Sequence, residues 1–339
     1  MSNILFHLAG FVGLVAIAAG CADRPPDTSE TSSDRPLVVA TSPVLCDLVG
    51  QVAGDSIDLD CLIAPGQDPH TYEPTPDDRR SIETAQLIFY GGYDYEPDLS
   101  PLVETVSTST VTVPVYELAV PDPLLGEGHH HHGEEEEHHH HGEEEEEDTH
   151  AEQVPDPHVW HDVENAIAIV EVLRENLCTS VHNNNVESCD RNAAALTEEL
   201  QALDGWIEAQ IATIPDDRRL LVTTHEALNY YTSAYGLQLE SALDSVNTEA
   251  KPAATQIAAV VETVKAANVP TVFVEITNTS ELIETIAREA NVEISPKKLF
   301  VDSLNEAGSE GDSYQEMMEW NTCAIVVGLG GECTPFGDE

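Results

Sequence analysis

Two short runs in this chain carry residues fit for metal chemistry, and they resemble each other. Asp156-Pro157-His158 repeats the earlier Asp68-Pro69-His70. In both copies a proline fixes φ just ahead of an imidazole, which narrows the directions the ring can take. Two further polar residues each follow an apolar run. His225 comes after Leu220-Leu221-Val222-Thr223-Thr224, and Asp302 after Leu299-Phe300-Val301. In open α/β sheets, ligands bind at loops beyond the carboxyl ends of strands. Three neutral imidazoles and one carboxylate make a four-coordinate set suited to zinc. Taken singly, each residue has an ordinary reading as a turn, a packed histidine or an Asx cap.

Other patterns test whether this chemistry is catalytic. His225-Glu226-Ala227-Leu228-Asn229 opens like a zinc-protease helix motif, but asparagine stands where the second histidine is needed. The sequence has no Gly-x-Ser-x-Gly, no phosphate loop and no paired catalytic carboxylates. A catalytic zinc keeps one position open for water, whereas four protein ligands fill the site. The expectation is therefore a binding protein and not an enzyme.

A low-complexity segment runs from Gly128 to Glu147 and alternates blocks of four histidines with blocks of glutamate. With His150, its imidazoles are His129, His130, His131, His132, His138, His139, His140 and His141. Such a segment cannot form a core, and it is expected to capture zinc, nickel or copper loosely. The net charge of −50 favours cations and argues against nucleic acid as a partner. Removing its nine acids together with the flanking Glu127 and Asp148 still leaves about −39, so the acidity is global.

These groups need elements to hold them. The apolar run from residue 4 to 20 ends Ala18-Ala19-Gly20-Cys21, which has the length of a signal core and resembles a lipobox. Cys21 is then the lipidated mature N-terminus, followed by a tether over 21–36. Six cysteines remain and fall into three close pairs, so neighbour pairing is expected: Cys46–Cys61, Cys178–Cys189 and Cys323–Cys333. Strands at 37–40, 59–63, 87–92 and 111–115 alternate with helices, which implies a parallel sheet. Apolar positions from Ala193 to Ile211 recur at helical spacing, and the strand–helix alternation restarts at Leu220. The expected fold is α/β, with two Rossmann-like lobes over 37–186 and 215–339. One long rigid helix at 187–214 joins them, with the metal site in the cleft.

Four segments carry a family resemblance: Gly66-Gln67-Asp68-Pro69-His70-Thr71-Tyr72-Glu73-Pro74, Asp156-Pro157-His158-Val159-Trp160, Val222-Thr223-Thr224-His225-Glu226-Ala227 and Phe300-Val301-Asp302-Ser303-Leu304. Together they look like the cluster A-I solute-binding proteins, the zinc/manganese receptors of bacterial ABC transporters. Gly311 to Met318 resembles that family too. The resemblance implies that His70, His158, His225 and Asp302 are the ligands. It also implies a lipid-anchored, exported, monomeric receptor that delivers metal to a membrane permease. Glu73, His161 and Glu275 are expected as auxiliary groups near the ligands, Glu73 as the partner that orients an imidazole and His161 as a fifth polar group beside the site. Zinc is expected because His225 stands where manganese-specific members carry glutamate. A manganese or dual-metal receptor and a metal-binding adhesin or buffer lipoprotein are the alternatives.

Overall fold

The computed structural model describes residues 35–127, 153–180, 186–243, 245–249, 251–267 and 269–337. The signal segment, Cys21, most of the tether and the His/Glu-rich segment with His150 lie outside the described residues. Everything below concerns the compact unit that begins at Arg35.

In the N-terminal lobe, β1 (Leu37–Ala40), α1 (Pro43–Ala53), β2 (Asp58–Cys61), α2 (Pro76–Thr84), β3 (Leu87–Tyr90), α3 (Ser100–Glu104), β4 (Val111–Pro114) and α4 (Val115–Ala119) follow in order. The four strands form one parallel sheet in the order β2-β1-β3-β4. The two central strands, β1 and β3, are continuous apolar runs because both their faces are covered, while the edge strands β2 and β4 carry polar residues. Val38, Ala40, Leu87 and Phe89 enter the main core, while Val39, Ile88 and Tyr90 enter a smaller cluster with Ile63, Ile82 and Leu99. Helix α2 starts with Pro76 in its first turn and a capping box between Thr75 and Asp78.

A short antiparallel hairpin of β5 (Leu125–Glu127) and β6 (Gln153–Pro155) brackets the His/Glu-rich segment in sequence. Sequence patterning does not reveal it, since each strand has three residues and one holds Gly126, the other Pro155. Gly126 is needed there because a Cβ would collide with Val246. Then come α5 (Val163–Ser180) and α6 (Val186–Ile211), the latter with Cys189, Ala193, Leu196, Leu200, Leu203, Ile207 and Ile211 buried along one stripe.

The C-terminal lobe consists of β7 (Leu220–Thr223), α7 (Asn229–Tyr235), β8 (Gln238–Ser241), α8 (Ala254–Ala266), β9 (Thr271–Val272), α9 (Glu281–Ala290), β10 (Glu293–Ile294) and α10 (Tyr314–Gly328). Strands β7 and β8 pair in parallel, as do β9 and β10. The Phe273 N–H donates to the Val222 carbonyl, which lays the segment after β9 beside β7. Strand β9 has only two residues, and beyond it a single parallel bridge joins Glu275 to Leu299. Past that bridge, the segment from Leu299 leaves the ladder and reaches Asp302.

The lobes do not have separate cores. One contiguous buried cluster runs from Val38 to Leu329, and α6 packs on α1, α5, α7 and α10. Helix α10 also reaches back to the first lobe. Asp47 accepts the Tyr314 N–H at 2.7 Å, Tyr314 donates its hydroxyl to the Trp160 carbonyl at 2.7 Å, and Gln51 and Gln315 exchange two amide hydrogen bonds of 2.9 Å. Disulfides join Cys46 to Cys61, Cys178 to Cys189 and Cys323 to Cys333, each closing a short loop. Among the described residues, no helix is long and apolar enough to cross a membrane.

Candidate metal site

The repeated Asp-Pro-His motif has a local cause. In each copy the aspartate begins a 3-10 turn or precedes one, and its Oδ1 accepts the histidine's backbone N–H: Asp68 for His70 at 2.9 Å, Asp156 for His158 at 3.0 Å. The proline supplies the φ that the turn requires. His225 follows the end of β7, and Asp302 follows the bridge at Leu299. All four side chains are buried, His158, His225 and Asp302 completely.

One ligand atom from each of His70, His158, His225 and Asp302 lies within 4.8 Å of every other. The three Nε2 atoms converge on a single oxygen, Asp302 Oδ1, at 3.6 Å from His70, 3.1 Å from His158 and 3.5 Å from His225. His225 Nε2 is buried and has no hydrogen-bond partner. A buried polar atom left this way is costly, and a cation among these four atoms would satisfy it. The arrangement suits a tetrahedral or similar ion of borderline softness.

The rings are fixed from behind by carboxylates. His158 Nδ1 sits 2.8 Å from Asp156 Oδ1. His225 Nδ1 sits 2.7 Å from Glu275 Oε2, and Glu275 Oε1 also accepts the N–H groups of Thr224 and His225. Asn278 donates to Glu275 Oε2 at 2.7 Å, and Thr277 donates to Asp302 Oδ2 at 3.0 Å. Such partners set the tautomer, holding the proton on Nδ1 and leaving Nε2 to bind metal. Burial alone would depress the pKa of His158 and His225, but Asp156 and Asp302 outweigh it at His158, and Glu275 and Asp302 at His225, so both are raised. Burial pushes Asp302 up, yet the three imidazoles around it, His225 foremost, hold it well below the ordinary carboxylate range. Protons and an incoming cation therefore compete for these imidazoles.

The auxiliary residues divide. Glu275 is buried and orients an imidazole. His161, expected near the ligands, is fully buried and donates from Nε2 to the Val301 carbonyl at 2.8 Å, one residue before Asp302. It is not among the four grouped atoms, and burial together with His158 lowers its pKa to about 3. Glu73 is exposed, and among the described residues no imidazole is its hydrogen-bond partner. Among the described residues, the carboxylates found behind imidazoles of the site are Asp156, on His158, and Glu275, on His225.

Sequence reasoning missed two residues here. Tyr95 donates its hydroxyl to the Asp302 carbonyl at 2.9 Å and sets its ring edge-on to His70 at 5.3 Å. Its neighbour Glu96 is buried between the ends of β1 and β3, accepting from Thr41 Oγ1 at 2.6 Å and from the Gly91 N–H at 3.2 Å. Burial pushes that carboxyl up to about 7 against those two bonds. The Gly91-Gly92 pair after β3 was the available signal, since it marks a turn at a strand's carboxyl end.

Residues 38–328 match the family model of the periplasmic zinc-uptake complex component A, ZnuA. The chain belongs to this family. It is thus a metal-binding substrate-binding protein of the cluster A-I class that serves ABC transporters. The manganese ABC transporter substrate-binding lipoprotein PsaA of Streptococcus pneumoniae is 31% identical over 333 residues, covering 97% of this chain and 99% of the relative. The metal ABC transporter substrate-binding lipoprotein ScbA of Streptococcus cristatus is 31% identical, covering 96% of this chain and 97% of its own. Among solved structures, the periplasmic zinc-binding protein TroA of Treponema pallidum superposes with a TM-score of 0.75 at 26% identity, over 87% of this chain and 99% of TroA. The relatives of this ZnuA-family chain thus carry both zinc and manganese in their names.

Proposed function

We propose that this chain is the extracytoplasmic zinc receptor of an ABC importer, tethered by a lipid on Cys21 and handing its ion to a membrane permease as a monomer. His70, His158, His225 and Asp302 are its ligands. The observation that carries the reading is the donor set, three Nε2 atoms and one carboxylate oxygen within 4.8 Å of one another in a buried cleft. Manganese favours oxygen donors, and His225 with Glu275 behind it supplies nitrogen. All four positions come from protein, which suits capture and release and leaves no place for a catalytic water. The net charge of −50 raises the local concentration of cations around the whole surface.

The names of the streptococcal relatives favour a manganese receptor as the second reading. Metal analysis of the protein isolated without added metal, followed by competition, separates the two. The zinc reading expects one retained zinc per chain that excess manganese does not displace. Retained manganese, or zinc exchanged readily for it, would sink that reading and leave the second.

A further inference from the structure

The two Asp-Pro-His turns share a feature beyond the capping of their histidines. In each, the aspartate's second oxygen is held by a donor from the opposite lobe. Asp68 Oδ2 accepts from Thr248 Oγ1 at 2.6 Å, and Asp156 Oδ2 accepts from Asn229 Nδ2 at 3.1 Å. One carboxylate thus touches its own histidine on one side and the far wall of the cleft on the other. Asn229 is the residue that spoils the zinc-protease motif, and here its amide finds this other use.

We infer that Thr248 and Asn229 are positioning residues that hold His70 and His158 in place from across the cleft, so that losing either donor speeds metal release without removing a ligand. This rests on the receptor reading above. The physical ground is rigidity. A carboxylate with both oxygens engaged cannot swing, so the turn it caps, and the imidazole on that turn, keep one orientation. Hydrogen bonds to a charged acceptor are stronger than neutral ones. The two clamps differ in access. Thr248 and its acceptor Asp68 are both half-buried, and Thr248 lines an open groove with Lys251, Asn278 and Thr279, whereas half-buried Asn229 meets a completely buried Asp156. Thr248 is therefore the clamp that a docking partner reaches first.

The test measures zinc dissociation from the full, zinc-loaded chain into excess chelator. Thr248→Val removes the hydroxyl at nearly constant volume and should speed release about tenfold, with one zinc still bound per chain. Thr248→Ser keeps the donor and should release as slowly as the parent. In an Asp68→Ala background, Thr248→Val should add no further change, because its acceptor is already gone. Asn229→Ala should speed release in the same way. Release from Thr248→Val at the parent rate overturns the inference, as does an equal acceleration in the Asp68→Ala background. If instead the parent chain held no zinc that depends on His225, the receptor reading itself would fall, which the His225→Ala control reads separately.

Discussion

His225 shows how much one residue here depends on its neighbours. Its Nδ1 is committed to Glu275 and its backbone N–H to the same carboxylate, so only Nε2 is left to face the cleft. His225→Ala and His158→Ala should each weaken zinc binding by at least about a hundredfold, since each removes one of four ligands. Calorimetry at neutral pH checks this, with circular dichroism confirming the fold; parent-like affinity in either variant would refute the assignment. Glu96 offers a separate test, away from the ligands. Its folded pKa of about 7 lies above the ordinary 4.5, so the favourable protonated form is fully present below the unfolded value. That contribution is lost as pH rises from about 4.5 through 7. Glu96→Gln, which cannot ionise, should therefore lose less stability between pH 5 and pH 8 than the parent, by on the order of 2 kcal/mol. Urea midpoints at the two pH values measure it, and equal losses in both proteins would mean that burial does not raise the Glu96 pKa.

At the scale of elements, the Cys46–Cys61 bridge ties α1 to the end of β2, just before the chain turns toward His70. It spans a sequence separation of 15, and replacing both cysteines by alanine should cost about 3 kcal/mol, chiefly by freeing the unfolded chain. Denaturant unfolding of the double variant checks this, and an unchanged midpoint would contradict it. The elements that sequence disclosed are those with a strong local cause. Thr75-Pro76 announces α2, the stripe from Ala193 to Ile211 announces α6, and unbroken apolar runs announce β1, β3 and β7. The β5–β6 hairpin was not legible, because its partners are far apart in sequence and its strands too short to alternate. The four grouped residues were legible because each sits after a strand or on a proline-stiffened turn. Asp156 and Tyr95 were not, since what they do depends on contacts with Asn229 and Asp302 that no local pattern encodes.

For the molecule as a whole, charge is the dominant quantity. Sixty-three acids against thirteen bases make a surface that repels itself, and ions in solution relieve that repulsion. The thermal midpoint of the metal-free chain should rise by on the order of 10 °C between about 20 mM and about 1 M salt. Scanning calorimetry over that range decides it, and a flat profile would show that repulsion among the acids does not limit stability. The bracing of α1 against α10 by Gln51 and Gln315 bears on how this protein would serve as a zinc indicator. Dyes fixed far out on the two lobes would barely change their separation, because the back of the cleft is stitched shut. A single environment-sensitive dye on the Ser245–Glu249 segment, beside Thr248, would sit where loading and unloading alter its surroundings, and would give the larger optical signal.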